Sequence, residues 1–290
     1  MDDSALLRVA AKGLTTTTTI TTLVNGPMKT MTWLKLKFAA GVGLAAVLTG
    51  GVAMVAVSQT GGPDKPSVQE IIKQSQAAYA ALTSYSDGGQ TVSSIGSTAV
   101  PSHHFSIKLA RPDLYRVEWI QDMGGISLTG LVWSAGDGNF LKMTQASKPT
   151  PYSNMEGTLS AGTGISGGAS GSIPGTFFKL NWGNQLGVTT QTAKRKPDEK
   201  IGEVDCYVLT QSKAGRTTTW WIGKPDFLIR QIEQDTSAEV LKTMLAAQAK
   251  IHPELNANLQ AAHVSGDVKS VETHTNIVLN QSLAKTDFAP

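Results

Sequence analysis

The sequence has a single cysteine, Cys206, in 290 residues. That excludes an internal disulfide and any zinc or iron–sulfur framework built on several cysteines; in a strand-like run, Cys206 reads as a small buried hydrophobe. Histidine is scarce too, at 5 residues. His103 and His104 are adjacent on a strand-like run and point to opposite faces, and His252, His263 and His274 lack ligand spacing, so no metal centre is expected. Also missing is a charge surplus of one sign over most of the chain. Residues 1–37 hold Arg8, Lys12, Lys29, Lys35 and Lys37 against Asp2 and Asp3, which is the whole net charge of +3. The rest carries 20 basic and 20 acidic residues and lacks the basic surface that nucleic-acid binding needs. No pair of carboxylates stands out for acid–base work, and no cofactor is implied.

Two short matches to catalytic motifs fall in one glycine-rich tract. Gly162, Gly164 and Gly167 fit the dinucleotide pattern G-x-G-x-x-G, and Gly164, Ser166 and Gly168 fit the nucleophile elbow G-x-S-x-G. Both motifs need a strand running into the turn and a helix leaving it. Residues 145–174 are rich in Gly, Ser and Thr and read as loop on both sides, so the matches carry no chemistry. Binding rather than catalysis is the expectation.

What the chain does have is a long apolar run. Residues 38–57 are 20 positions without a charge, long enough to cross a hydrocarbon core of about 30 Å as a helix. Lys29, Lys35 and Lys37 precede it and place the N-terminus in the cytoplasm, with everything after Ser58 outside. Two fates stay open. One is a retained single-pass inner-membrane anchor, favoured by the length of the segment before it; the other is a signal starting at Met28 and cut after Ser58. Ahead of the run, the threonine tract at residues 15–19 reads as part of a disordered cytoplasmic tail over 1–37.

Residues 58–66 read as a linker, and Ser67 with Glu70 forms a capping box that opens a helix. Val68, Ile71, Ile72, Tyr79 and Leu82 give that helix an apolar stripe. The period then changes to two. Strand-like runs follow at 103–109, 114–121, 128–134, 139–143, 177–182, 204–211, 217–222, 227–234 and 268–279. Tyr115, Val117 and Trp119 share one face while Arg116 and Glu118 share the other, which makes a sheet with one oily side. Turns at 110–113 and 136–138 join short antiparallel strands, so the fold class is mainly β (α+β): a strongly curved antiparallel sheet or open barrel, covered by the capped helix. Helical spacing returns at 237–262, broken by Pro253, as an insertion between late strands. The large groups Tyr115, Trp119, Trp133, Trp182, Tyr207, Trp220 and Trp221 all read as strand residues. A curved sheet with such a lining can keep a hollow that an acyl chain fills, at roughly 0.8 kcal/mol per buried methylene.

Several segments in order carry a family resemblance. These are the helix ending at 79–85, the strand, Arg-Pro turn and strand at 105–119, the hairpin at 134–141, the run 220–230 and the terminal 287–290. Together they resemble the LolA/LolB superfamily of outer-membrane lipoprotein carriers, RseB-related proteins included, over most of residues 67–290. The resemblance implies an incomplete antiparallel barrel with a helical lid that binds acyl chains of lipids or lipoproteins. It implies that Arg111 holds the lid closed and that Tyr115 lines the hollow, beside the strand residues Val117, Trp119, Trp133, Tyr207 and Trp220. A membrane anchor and the insertion at 237–262 depart from the simple carrier. The tail and anchor together are weakly similar to the C-terminal end of a bacterial extracytoplasmic-function sigma factor. That likeness opens an alternative, an envelope-state sensor with a sigma or anti-sigma partner.

Overall fold

A computed structural model describes residues 66–187, 192–251 and 266–290. The apolar run at 38–57, the tail and nearly all of the linker lie outside the described residues. No helix among the described residues is long and apolar enough to cross a membrane.

The chain begins its described course with α1 (Val68–Ala81). Ser67 accepts the Glu70 N–H and the Glu70 carboxylate accepts the Ser67 N–H, so the box satisfies two of the helix's free donors. The buried stripe of Ile71, Ile72 and Tyr79 turns the helix onto a sheet.

That sheet has eleven strands, all antiparallel to their neighbours. The first wing is a meander of β1 (Ser84–Ile95), β2 (Thr98–Ala110), β3 (Leu114–Asp122), β4 (Ser127–Ser134), β5 (Asn139–Met143) and β6 (Thr150–Tyr152). The second runs through β7 (Lys194–Ile201), β8 (Val204–Lys213), β9 (Arg216–Gly223), β10 (Ile229–Thr236) and β11 (Val268–Leu279). The order β6-β5-β4-β3-β2-β1-β11-β10-β9-β8-β7 sets the first and last strands side by side in the middle, with Gly89 opposite His274. The edges resist further pairing: β6 is three residues long with Pro151, and β7 carries Lys194, Arg195, Lys196 and Pro197. Between β10 and β11 stands α4 (Ala238–Ile251), where the sequence shows helical spacing; residues 252–265 lie outside the described part.

Alternation gives the sheet an inner and an outer face. On the inner face Ile107, Leu109, Tyr115, Val117, Trp119 and Val132 join Leu209, Trp220, Ile222 and Ile232 in one core with α1. Two aromatics lie over strand glycines: a Cβ on Gly89 would overlap the Phe105 ring, and one on Gly130 the Trp119 ring. Glycine in a strand marks such a close approach. On the outer face, Cys206, Val208 and Trp221 form a small second cluster.

The segment between the wings departs from the sequence expectation. Residues 145–174 are not a loop, and 177–182 is not a strand. After β6 come α2 (Met155–Thr163), capped by the Asn154 side chain on the Gly157 N–H, a run of turns, and α3 (Ser172–Phe177). Leu159, Ala169, Ile173, Phe177 and Leu186 from this segment are buried in the inner core, while Trp182 is exposed. Glycine is frequent here because backbone meets backbone: a Cβ on Gly175 would stand 2.6 Å from the Gly183 carbonyl carbon. Residues 155–187 thus form a plug on the inner face.

Candidate functional site

The inner face is the candidate site, and the plug occupies it. Tyr115, Val117 and Trp119 are buried beneath it, so the hollow expected from the sequence is filled by the chain itself. Tyr115 donates its hydroxyl to Asn139 Oδ1 at 2.9 Å and meets the Phe178 ring edge-on at 6.5 Å. Burial raises the Tyr115 hydroxyl to about 12, against the lowering contact of Thr158 on α2. Across the sheet, Trp220 donates its indole N–H to Gln185 Oε1 at 3.2 Å, so the plug's tail covers the second wing as well.

Two of the residues expected to line the hollow sit differently. Trp133 pairs with Arg116 on the outer face, stacked on Phe140 with ring centroids 5.2 Å apart. The run 131–133 is apolar throughout, so counting large groups could not tell its two sides apart. Arg116 also donates to the carbonyl of Ala289, and Phe288 is fully buried, which lays the C-terminal residues on that outer side. Tyr207 does face inward but lies at the rim, half-buried beside Phe227 with Arg195 and Lys224 against its ring.

Arg111 joins both covers of the inner face. Its Nη2 donates to the Phe177 carbonyl at 2.7 Å and the Tyr79 carbonyl at 3.3 Å, and its Nε donates to the Leu82 carbonyl at 3.1 Å. The guanidinium also lies 4.5 Å from the centre of the Phe177 ring. One planar cation therefore satisfies carbonyls at the C-terminal ends of α1 and α3 together. On α1 itself, the Ile229 N–H donates to the Tyr79 hydroxyl, and Gln76 donates to the Leu186 carbonyl of the plug.

In the middle of the inner face, where β1 meets β11, lies a polar cluster that sequence reasoning missed. His274 Nδ1 is 2.7 Å from Asp87 Oδ2, which also accepts the Tyr85 hydroxyl at 2.7 Å. His274 Nε2 is 3.1 Å from Glu272 Oε1, close enough for an ion pair but not aligned as a hydrogen bond. Ser172, the first residue of α3, donates its hydroxyl to the same Glu272 oxygen. Burial lowers the His274 pKa, but the facing Asp87 and Glu272 carboxylates outweigh it and hold the ring protonated up to about 10. Thr91 is fully buried opposite Glu272, and its hydroxyl has no hydrogen-bond partner among the described residues; Asp87 Oδ1 is in the same position. Period-two reading down β1, through Tyr85, Asp87, Gly89 and Thr91, and down β11, through Glu272 and His274, was the available signal.

His103 lies next to this cluster. It is pushed down to about 4 by burial and by His104, and a Cβ on Gly167 would touch its ring. No group of three or more His, Cys, Asp or Glu among the described residues is disposed to hold a metal ion. Ser166 of the elbow-like match is fully buried and bonded to the Thr163 carbonyl, following a helix rather than a strand. A trough of about 660 Å³ lies elsewhere, with outer-face side chains of His104, Ser106, Glu118, Leu131 and Lys142 along it.

No family model and no curated protein matches the chain. Solved structures similar to it include LprF from Mycobacterium bovis, at 12% identity and TM-score 0.41, covering 74% of this chain and 94% of that one. A LolA superfamily protein from Nitrosomonas europaea is similar at 11% identity and TM-score 0.32, covering 78% and 99%. The Pseudomonas aeruginosa MucA/MucB complex matches at 6% identity and TM-score 0.38, covering 77% of this chain and 60% of that one. The structural neighbours thus include the LolA superfamily, the one that the sequence resembles.

Proposed function

We propose that this chain binds acyl chains of lipids or lipoproteins on the inner face of its sheet, and that the plug gives up that place to the ligand. The sheet then works as an incomplete barrel, with α1 and the plug as its helical lid. The observation that carries this reading is the pairing of an apolar floor on each wing with a separate, glycine-rich cover that lies against it. Tyr115, Val117, Trp119, Val132 and Trp220 make the floor, and Arg111 ties the cover down at Phe177. Burying apolar area needs no catalytic group, and the exchange of plug for ligand replaces one apolar contact by another. The apolar run at 38–57 would tether the domain to the inner membrane with its N-terminus cytoplasmic, within reach of acyl chains.

The test is organic extraction and mass spectrometry of the full chain purified from cells, against residues 1–66 alone as a control for lipid held by the anchor. About one acyl lipid per chain above that control is expected, and more in Arg111→Ala. An equal yield from both would remove the ligand from the account.

A further inference from the structure

The floor of the inner face is not uniformly apolar, and this bears on what can take the plug's place. Down its centre, Asp87, Thr91, Glu272 and His274 form a polar strip crossing the seam of the two wings. Each is nearly or fully buried, and Thr91 is completely so. The plug meets this strip with matching chemistry. Ser172 donates to Glu272, and Gly167 and Gly168 bring backbone so close that a Cβ would stand 3.1 Å from Thr91 and 2.8 Å from Glu272 Oε2. A ligand that displaces the plug removes the Ser172 donor, and a bare alkyl chain laid there leaves a carboxylate buried without it. That loss is comparable to the gain from a few methylenes. Acceptor oxygens outnumber donors on the strip: the four carboxylate oxygens of Asp87 and Glu272 and the Thr91 oxygen stand against the two His274 N–H groups and the Thr91 O–H, and Asp87 Oδ1 has no partner among the described residues.

We infer that the strip selects, among acyl ligands, those that carry a neutral hydroxyl donor next to the chain and rejects those that present a carboxylate. The ligand's hydroxyl would take the place of the Ser172 hydroxyl on Glu272, with Thr91 beside it. This rests on the proposed acyl-binding function and narrows it to a ligand class. A fatty-acid carboxylate is disfavoured because two carboxylates, Asp87 and Glu272, outweigh the one His274 cation between them, so it meets a net negative charge across a site where water is scarce.

The experiment uses the full chain in phosphatidylcholine nanodiscs, titrated with three probes sharing one sixteen-carbon chain: monopalmitoylglycerol, methyl palmitate and palmitate. Hydrogen exchange of the amides at 164–187 reads displacement of the plug. Monopalmitoylglycerol is expected to displace it with an apparent Kd at least about tenfold below that of either other probe, the discrimination given by one buried hydrogen bond. In Glu272→Gln, the preference over palmitate should shrink severalfold. Equal affinities for all three wild-type titrations would overturn the donor rule while leaving acyl binding in place. No displacement by any probe would overturn both, so the two failures are told apart by the wild-type protein alone, whether or not the variant folds.

Discussion

The two covers of the inner face share one core but are fitted to it differently. Helix α1 lies down through large side chains, Ile71, Ile72 and Tyr79, and its place follows from the apolar area it buries. The plug buries Leu159, Ile173, Phe177 and Leu186 as well, but between them its backbone at Gly162, Gly171 and Gly175 approaches neighbouring atoms closely. Directed polar bonds add to that buried area: Arg111 at Phe177, Ser172 at Glu272, Gln185 at Trp220. A cover held by area alone resists removal in proportion to its size, whereas one that depends on directed bonds as well is weakened when those bonds are answered by something else.

The largest perturbation should come from the first cover. Ile72→Ala deletes a buried side chain and is expected to cost about 2–5 kcal/mol of global stability, read by urea denaturation as a lower midpoint with an unchanged slope. A loss confined to the plug would contradict the claim that α1 is part of the main core. Gly175→Ala should do less overall, about 1–3 kcal/mol of overpacking, but concentrate it. Its new Cβ would press on the backbone of Gly183 and Asn184, so exchange protection should fall across 155–187 and hold in α1. Uniform loss along the chain would erase the distinction between the covers.

Acidity is the gentlest probe, and it tests the polar strip directly. The His274 pKa is raised from 6.5 to about 10, so its contribution is fully present below 6.5 and is lost as pH climbs through 10. That of His103 is lowered from 6.5 to about 4, so its neutral form contributes fully above 6.5 and the contribution is lost as pH falls through 4. The thermal midpoint should therefore sag on both sides of a plateau near pH 6.5, and His274→Gln should flatten the alkaline limb only. An unchanged alkaline limb in that variant would remove His274 from the account.

Much of the sheet was legible because most of its strands alternate cleanly. Leu114–Asp122 puts Tyr115, Val117 and Trp119 on one side in plain view, and eight of the eleven strands lie within or close to the runs that period two picks out. β1 escaped because its inner positions are Tyr85, Asp87, Gly89 and Thr91, which do not alternate oily with polar, and this strand carries half of the polar strip. β7 escaped because an edge strand is protected by charge, and charge reads as loop. The plug escaped for a deeper reason. Glycine and serine signal a loop by propensity, and only the tertiary fit, invisible in one dimension, shows that here they are the residues small enough to be inside.

The pairing of β1 with β11 has a bearing on how the molecule comes into being. Each wing is a meander of neighbouring hairpins that can assemble as its own stretch of chain appears, but the seam joins segments from opposite ends of the described fold. The strip of Asp87, Thr91, Glu272 and His274 straddles that seam, so neither wing alone possesses it. A chain still emerging lacks the proposed site, which is complete only when the closing strand is in place.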